Sequence, residues 1–144
     1  MNHDLAGGGH IVKTFAPDVE VICVQPAGAP AMTQSWHQRR VVTTDSTDTI
    51  ADAVAGRFPI PAVLSDLLLV ADDAVLVRED SIIAGMRMLL EHAGLVVEPA
   101  AALGLAAIIE DRDRFAGRHV STIVCGNNVD VDAYRNWVRA ASLG

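Results

Sequence analysis

The stretch AVLVREDSIIAGMRMLLEHAGLVVEP, residues 74–99, decides the fold. It opens on Ala74-Val75-Leu76-Val77, a short aliphatic and β-branched run of strand length. Ile82, Ile83, Met86, Leu89 and Leu90 then recur at i, i+1, i+4, i+7 and i+8, which gathers them on one helical face. The spacing predicts a helix over residues 80–93, with Arg87 and Glu91 turned to water. Gly94 supplies the left-handed residue on which helices commonly end. After the brief extended piece Leu95-Val96-Val97, Glu98-Pro99 opens another helix, with proline in its first turn and an acid at its dipole-positive end. Strands that alternate with helices in this way belong to βαβ units and a parallel sheet.

The same alternation extends both ways. Upstream, residues 19–24 read as a strand stopped by Gln25-Pro26-Ala27-Gly28-Ala29-Pro30, whose two prolines cannot continue a ladder. A helix over residues 31–38 follows, with Met32 and Trp36 on its inner face. Residues 40–43 are extended, the Thr/Asp/Ser cluster through Asp48 is turn chemistry, and residues 61–69 form a helix. Downstream, an Ala-rich helix runs to about residue 110, and residues 111–118 are a charged, solvated loop. Residues 120–124 form a final buried strand, Cys125-Gly126-Asn127-Asn128 turns, and residues 131–141 close the chain as a helix with Tyr134 and Trp137 on one side. The fold class is α/β: an open, mostly parallel sheet of about four or five strands flanked by helices.

Composition narrows the function. In 144 residues the chain has room for one domain, and its 51% hydrophobic content supplies one sizeable core. Eleven Lys and Arg against eighteen Asp and Glu leave a net charge of −7, with the basic residues scattered. That balance argues against nucleic acid and anionic membrane as partners. No apolar run reaches the roughly 20 residues of a membrane span, nor is there the h-region of a signal peptide, so a cytoplasmic protein is expected. Cys23 and Cys125 lie far apart, without metal spacing, and are expected to be reduced. His3, His10, His37, His92 and His119 share no ligand spacing either.

Four segments, read in order, resemble the C-terminal part of the large domain in the pyridoxal-phosphate-dependent threonine dehydratase and serine racemase family, whose fold is the tryptophan synthase β-like fold type II. They are Pro17-Asp18-Val19-Glu20-Val21-Ile22 with Val24-Gln25-Pro26, Thr49-Ile50-Ala51-Asp52, Gly94-Leu95-Val96-Val97-Glu98-Pro99, and Cys125-Gly126-Asn127-Asn128-Val129-Asp130. The resemblance covers residues 17–144 as a single α/β domain, preceded by a truncated or remodelled glycine-rich segment, residues 1–16.

The resemblance also implies a cofactor site, in part vestigial. In the family a glycine loop before a helix holds the cofactor phosphate, because converging backbone N–H groups and the helix dipole make an anion site. Gly7, Gly8 and Gly9 occupy that place, either as such a cradle or as a flexible glycine-rich end, ahead of a helix cut to about one turn. Cys125 matches the residue that bonds the pyridine nitrogen, with Gly126 where the backbone comes close; a buried strand-end thiol is the other reading. Glu98 matches a glutamate beside the ring, and is equally a helix N-terminal acid. Ala53 stands where the family has glycine. The family's Schiff-base lysine lies in a stretch this sequence does not contain, and Lys13, the only lysine, matches an ordinary surface position. The positions matching the family's divalent-cation ligands are Gln25, Ala29 and Ala31, which lack the carboxylates such an ion wants.

The expectation is therefore a truncated threonine dehydratase-like domain with no catalytic residue of its own, no cofactor bound in the isolated chain, no metal, and a structural or binding role. One alternative is part of an L-threonine/L-serine ammonia-lyase completed by a separate N-terminal piece. Another is a small binder of anions or amino acids near Gly7, Gly126 and Asn127. Removing the family's N-terminal strands and helices from this sheet would bare an apolar face and an unpaired edge. A homodimer or higher closed homo-oligomer follows, with the 80–93 helix and the 19–24 strand at or near the contact.

Overall fold

Helix α4, Glu79–Ala93, forms where its periodicity places it: Ile82 and Met86 are fully buried and Leu89 nearly so. Gly94 at φ 67° closes it, donating its N–H back into the last turn. Burial of such side chains contributes about 1.5–3 kcal/mol each. The computed structural model describes residues 2–139. Their contacts gather into two compact units, one of residues 2–49 and 53–76, the other of residues 50–52 and 77–139.

In the first unit the order is helix α1 (Asn2–Phe15), strand β1 (Ile22–Pro26), helix α2 (Ala31–Gln38) and helix α3 (Pro61–Val70), leading into strand β2 (Asp73–Val77). β1 and β2 pair in a small parallel sheet, and Cys23, Met32, Val63, Leu64, Leu67 and Ala74 fill the core beside it, with Trp36 packed against them. Burial, reinforced by nearby Asp73, pushes the Cys23 thiol up to about 12. Met32 and Trp36 thus face inward as their spacing requires. The strand is displaced from residues 19–24 to Ile22–Pro26. Pro26 can end a strand, since only its own N–H is missing.

The second unit holds α4, a 3-10 turn (Pro99–Ala102), helix α5 (Leu103–Glu110), the single turn α6 (Arg112–Phe115) and helix α7 (Val131–Arg139). Ala100, Ala101, Ala102, Leu103, Ala106 and Ala107 are buried, so the Ala-rich run lies against α4. The rest of the expected 131–141 helix falls outside the described residues. Arg87 is a correction, since it does not face water. Its Nε donates to the Val138 carbonyl at 3.1 Å, and its Nη2 is buried without a partner among the described residues. Helix α7 covers the position that α4's own periodicity had left to solvent.

Three further expectations are overturned. The sheet has two strands among the described residues, not four or five. Residues 120–124 are neither a strand nor buried, with Ile123 66% exposed; an apolar run becomes a strand only where a neighbour accepts its ladder, and none does among the described residues. The stretch about Gly7–Gly9 is the middle of a fourteen-residue helix, not a loop before a short one. The charged 111–118 stretch also makes one turn, α6, started by the Asp111 carboxylate, which accepts from the Arg114 N–H.

Candidate functional site

In the second unit, Glu98 and Gly126 are brought together. Glu98 sits in extended conformation at the head of the 3-10 turn, φ −71° and ψ 156°, as the following proline demands. Its N–H donates to the Gly126 carbonyl at 3.1 Å. Gly126 has φ 94°, and a Cβ built there would lie 2.4 Å from both Cδ and Oε1 of Glu98. The Glu98 carboxylate therefore rests on the bare Cα of Gly126, at a backbone angle that other residues rarely adopt. Cys125 directly precedes it with an exposed free thiol, so the buried-thiol reading does not hold. A second anchor holds the segment to α5: Thr122 fills the notch left by Gly104, where a Cβ would come within 2.0 Å of Thr122 Oγ1. An exposed thiol thus directly precedes a glycine on whose backbone the carboxylate of Glu98, from far earlier in the chain, rests.

The glycines belong to the first unit. Inside α1 each N–H of Gly7, Gly8 and Gly9 is directed along the helix to the carbonyl four residues back, so the converging cradle is not formed. Gly9 is buried instead against α3, where a Cβ would lie 2.6 Å from Val70 Cγ2, while nothing lies within 4 Å of a Cβ at Gly7 or Gly8. Lys13, one turn on, donates to the Asp72 carboxylate and to the Val19 carbonyl. Asp72 accepts from the Val21 N–H as well. The Lys13 ammonium beside it, with that N–H, holds the Asp72 carboxyl below its ordinary value. The lysine is a clasp between α1 and the approach to the sheet.

The positions compared with a cation site are occupied by structure. Gln25 is buried, and its Oε1 accepts from the Thr33 N–H at 2.8 Å and the Thr33 hydroxyl at 3.0 Å. It satisfies an N–H in the first turn of α2, whose N-cap, Pro30, offers no side-chain acceptor. Ala29 and Ala31 are fully buried. Among the described residues no group of three or more His, Cys, Asp and Glu could hold a metal ion. Ala53 lies exposed in a single 3-10 turn, Asp52–Val54.

Sequence reasoning missed two structural placements that hold these positions. The Gln25–Thr33 cap had a readable signal, a helix opening on Pro30 with no Ser, Thr, Asp or Asn to cap it. The Thr122–Gly104 notch had none, since those residues meet only in three dimensions.

The chain has relatives among known proteins. The profile of a family described as pyridoxal-phosphate dependent enzymes matches residues 4–126. The biosynthetic L-threonine dehydratase of Bacillus subtilis is 35% identical over 127 residues, covering 88% of this chain and 30% of the relative. Serine racemase of Oryza sativa subsp. indica is 33% identical over 141 residues, covering 88% of this chain and 40% of the relative. Among solved structures, the threonine deaminase of T.th. superposes with a TM-score of 0.83 at 28% identity, over 88% of this chain and 46% of that one. The processed threonine deaminase isoform 2 of Solanum lycopersicum gives 0.87 at 27% identity, over 97% and 39%. The chain spans less than half the length of each.

Set against a pyridoxal phosphate, the described residues do not by themselves fit the group. The glycine N–H groups are committed along α1, and the one lysine is bonded to Asp72 and Val19. Of the positions matched to the family's cofactor site, Glu98 and Gly126 are brought together, with Cys125 directly before Gly126.

Proposed function

This chain belongs to the pyridoxal-phosphate dependent enzyme family, and from that premise we propose that it is a truncated threonine dehydratase-like domain that does not catalyse on its own and serves a structural or binding role. One observation carries the reading: Lys13, the only lysine in the sequence, is spent as a clasp on Asp72 and the Val19 carbonyl. A lysine nucleophile must be desolvated or set beside another cation so that it can lose its proton, whereas a carboxylate partner favours the charged ammonium. The helical state of Gly7–Gly9 supports the same reading, because it commits their N–H groups along α1 rather than to an anion. No cofactor is expected to bind the isolated chain.

A second reading is favoured by the Glu98, Cys125 and Gly126 grouping, which keeps family residue types together. On it the chain is one part of an L-threonine or L-serine ammonia-lyase, completed by a separate N-terminal piece. For either reading we place the protein in the cytoplasm as a homodimer or higher closed homo-oligomer. The two free thiols support the cytoplasmic setting, and among the described residues no helix is long and apolar enough to cross a membrane.

The test is to mix the purified chain with pyridoxal phosphate and L-threonine or L-serine while following the Schiff-base absorbance and the release of ammonia and 2-oxo acid. The expected result is neither a band nor turnover. Turnover that disappears in Lys13→Ala would overturn the first reading. Turnover that arises only when a complementary N-terminal piece is added would establish the second.

A further inference from the structure

Helices α2 and α4 end in the same way. Each closes on a residue in the left-handed conformation whose N–H donates twice into the last turn, Gly94 at φ 67° and ψ 22° for α4, Arg39 at φ 53° and ψ 30° for α2. Glycine takes that conformation freely, whereas a residue with a side chain is strained in it. Among the described residues Arg39 is the one non-glycine residue with positive φ. The negative end of α2 does not require it, since Arg40, next in the chain, already brings a positive charge there. Glycine would make the better cap, so what arginine adds at this position is its guanidinium.

The positive charge around Arg39 is uncompensated. Residues 21–44 contain no Asp or Glu, and neither do residues 53–65, which carry Arg57. In a chain with eighteen acids, Arg39, Arg40 and Arg57 make no ion pair among the described residues, and Asp45, directly after Thr44, bonds none of them. Salt screens over about 8 Å at physiological ionic strength, so acids farther off do not cancel a local group of this kind.

The groups that touch these side chains are neutral, and they orient them. Gln38 Oε1 accepts from Arg40 Nη2 at 2.6 Å. The Thr44 carbonyl accepts from Arg57 Nε at 3.1 Å, and the exposed Phe58 ring lies 5.1 Å from Arg57 Cζ. That leaves the Nη1–Nη2 end of the Arg57 fork unbonded among the described residues. The backbone beneath is pinned as well. Ser35 is fully buried; its carbonyl accepts from the Arg40 N–H and its hydroxyl from the Val42 N–H, while the Thr44 N–H donates to the Arg57 carbonyl at 3.2 Å. Arg40 and Thr44 stand four residues apart, at most about 14 Å of chain, and Arg57 is tied to Thr44. Three guanidiniums are therefore attached to one pinned strap of the first unit.

A guanidinium fork matches the paired oxygens of a phosphate or a carboxylate. Several forks on one strap match a molecule with several such groups, because after the first contact the next is made at high effective concentration. Orientation by neutral partners means that little ordering remains to be done on binding.

We propose that Arg39, Arg40 and Arg57 form a binding site for a small multivalent oxyanion. The site uses none of Glu98, Cys125 and Gly126, and it goes beyond the reading of the chain as a non-catalytic domain by giving its binding role a place and a chemistry.

Isothermal titration calorimetry of the full chain with pyrophosphate and, separately, with citrate tests it, and binding of either anion supports the site and tells phosphate from carboxylate. Arg39→Gly should weaken that binding by roughly tenfold while raising the melting temperature, because the cap improves as the ligand contact is lost. Arg40→Gln, which gives up only a side-chain partner, should weaken it as well and serves if Arg39→Gly fails to fold. Arg78→Gln, at an exposed arginine already paired with Glu110, should change nothing. Absence of binding by both anions at millimolar concentration would overturn the proposal, as would binding that Arg39→Gly and Arg40→Gln leave intact or that Arg78→Gln weakens as much. Catalysis by the chain alone would instead sink the functional reading and leave this site standing.

Discussion

Gly9 and Gly126 are both positions where a Cβ does not fit, yet they are opposite kinds of site. Gly9 has ordinary helical backbone inside α1, and what would meet its Cβ is aliphatic: Val70, 2% exposed, in the core of the first unit. Gly126 has φ 94°, lies at the surface, and what would meet its Cβ is a carboxylate. One glycine permits packing and the other permits a conformation. A glycine-rich segment therefore says nothing of anion binding until its backbone angles and its neighbour are known.

The largest effect that would break this contrast is at Gly9. Gly9→Val should cost about 2–3 kcal/mol in urea unfolding, because β-branched Val70 cannot yield the space, and Val70→Ala in the same chain should recover part of it. A loss that Val70→Ala leaves untouched would mean that α1 is not seated on α3. Next in size, Gly126→Ala should cost about 1–2 kcal/mol through its positive φ alone, since the Glu98 carboxylate can swing aside. Adding Glu98→Ala should restore little, and full recovery would show that the clash rather than the angle is what forbids a side chain.

Gly8 sharpens the contrast from the other side. With open space around it inside a helix, Gly8→Ala should stabilise by about 0.8–1 kcal/mol; a destabilisation would mean that this stretch is not helical. The smallest effect concerns the clasp. Asp72 titrates below its ordinary value of 3.8 when folded, so its contribution is present at neutral pH and is lost as the pH falls through the folded-state value. Because the pair is largely solvent-screened, Lys13→Gln should cost no more than about 1 kcal/mol at neutral pH. The difference from the unaltered chain should vanish in acid, and a difference that persisted there would place Lys13's effect elsewhere.

Helices α2 to α5 were legible because each carries its own punctuation: Pro30 before α2, Pro61 opening α3, Gly94 ending α4, Pro99 opening the turn into α5. The family resemblance was legible too, in short motifs whose order survives in the chain. What failed was whatever depended on a neighbour. Val120 to Val124 has strand composition, but a strand is a relation between two segments, and the sequence of one cannot supply the other. Arg87 lay on the polar side of α4's pattern until α7 covered it, and the family position of Gly7–Gly9 concealed a helix that Val70 and Asp72 stabilise from far along the chain.

The candidate site divides the same way. Glu98, Cys125 and Gly126 were marked by residue type and order, whereas the carboxylate resting on Gly126, the exposure of the Cys125 thiol and the engagement of Lys13 were settled only by folding. Sequence by itself determined the α/β class, the helix ends and the family, because caps, periodicity and motifs act over a few residues. Tertiary structure decided which apolar segment found a partner and which polar group was already bonded, because burial and hydrogen bonding are set by residues that meet from distant parts of the chain.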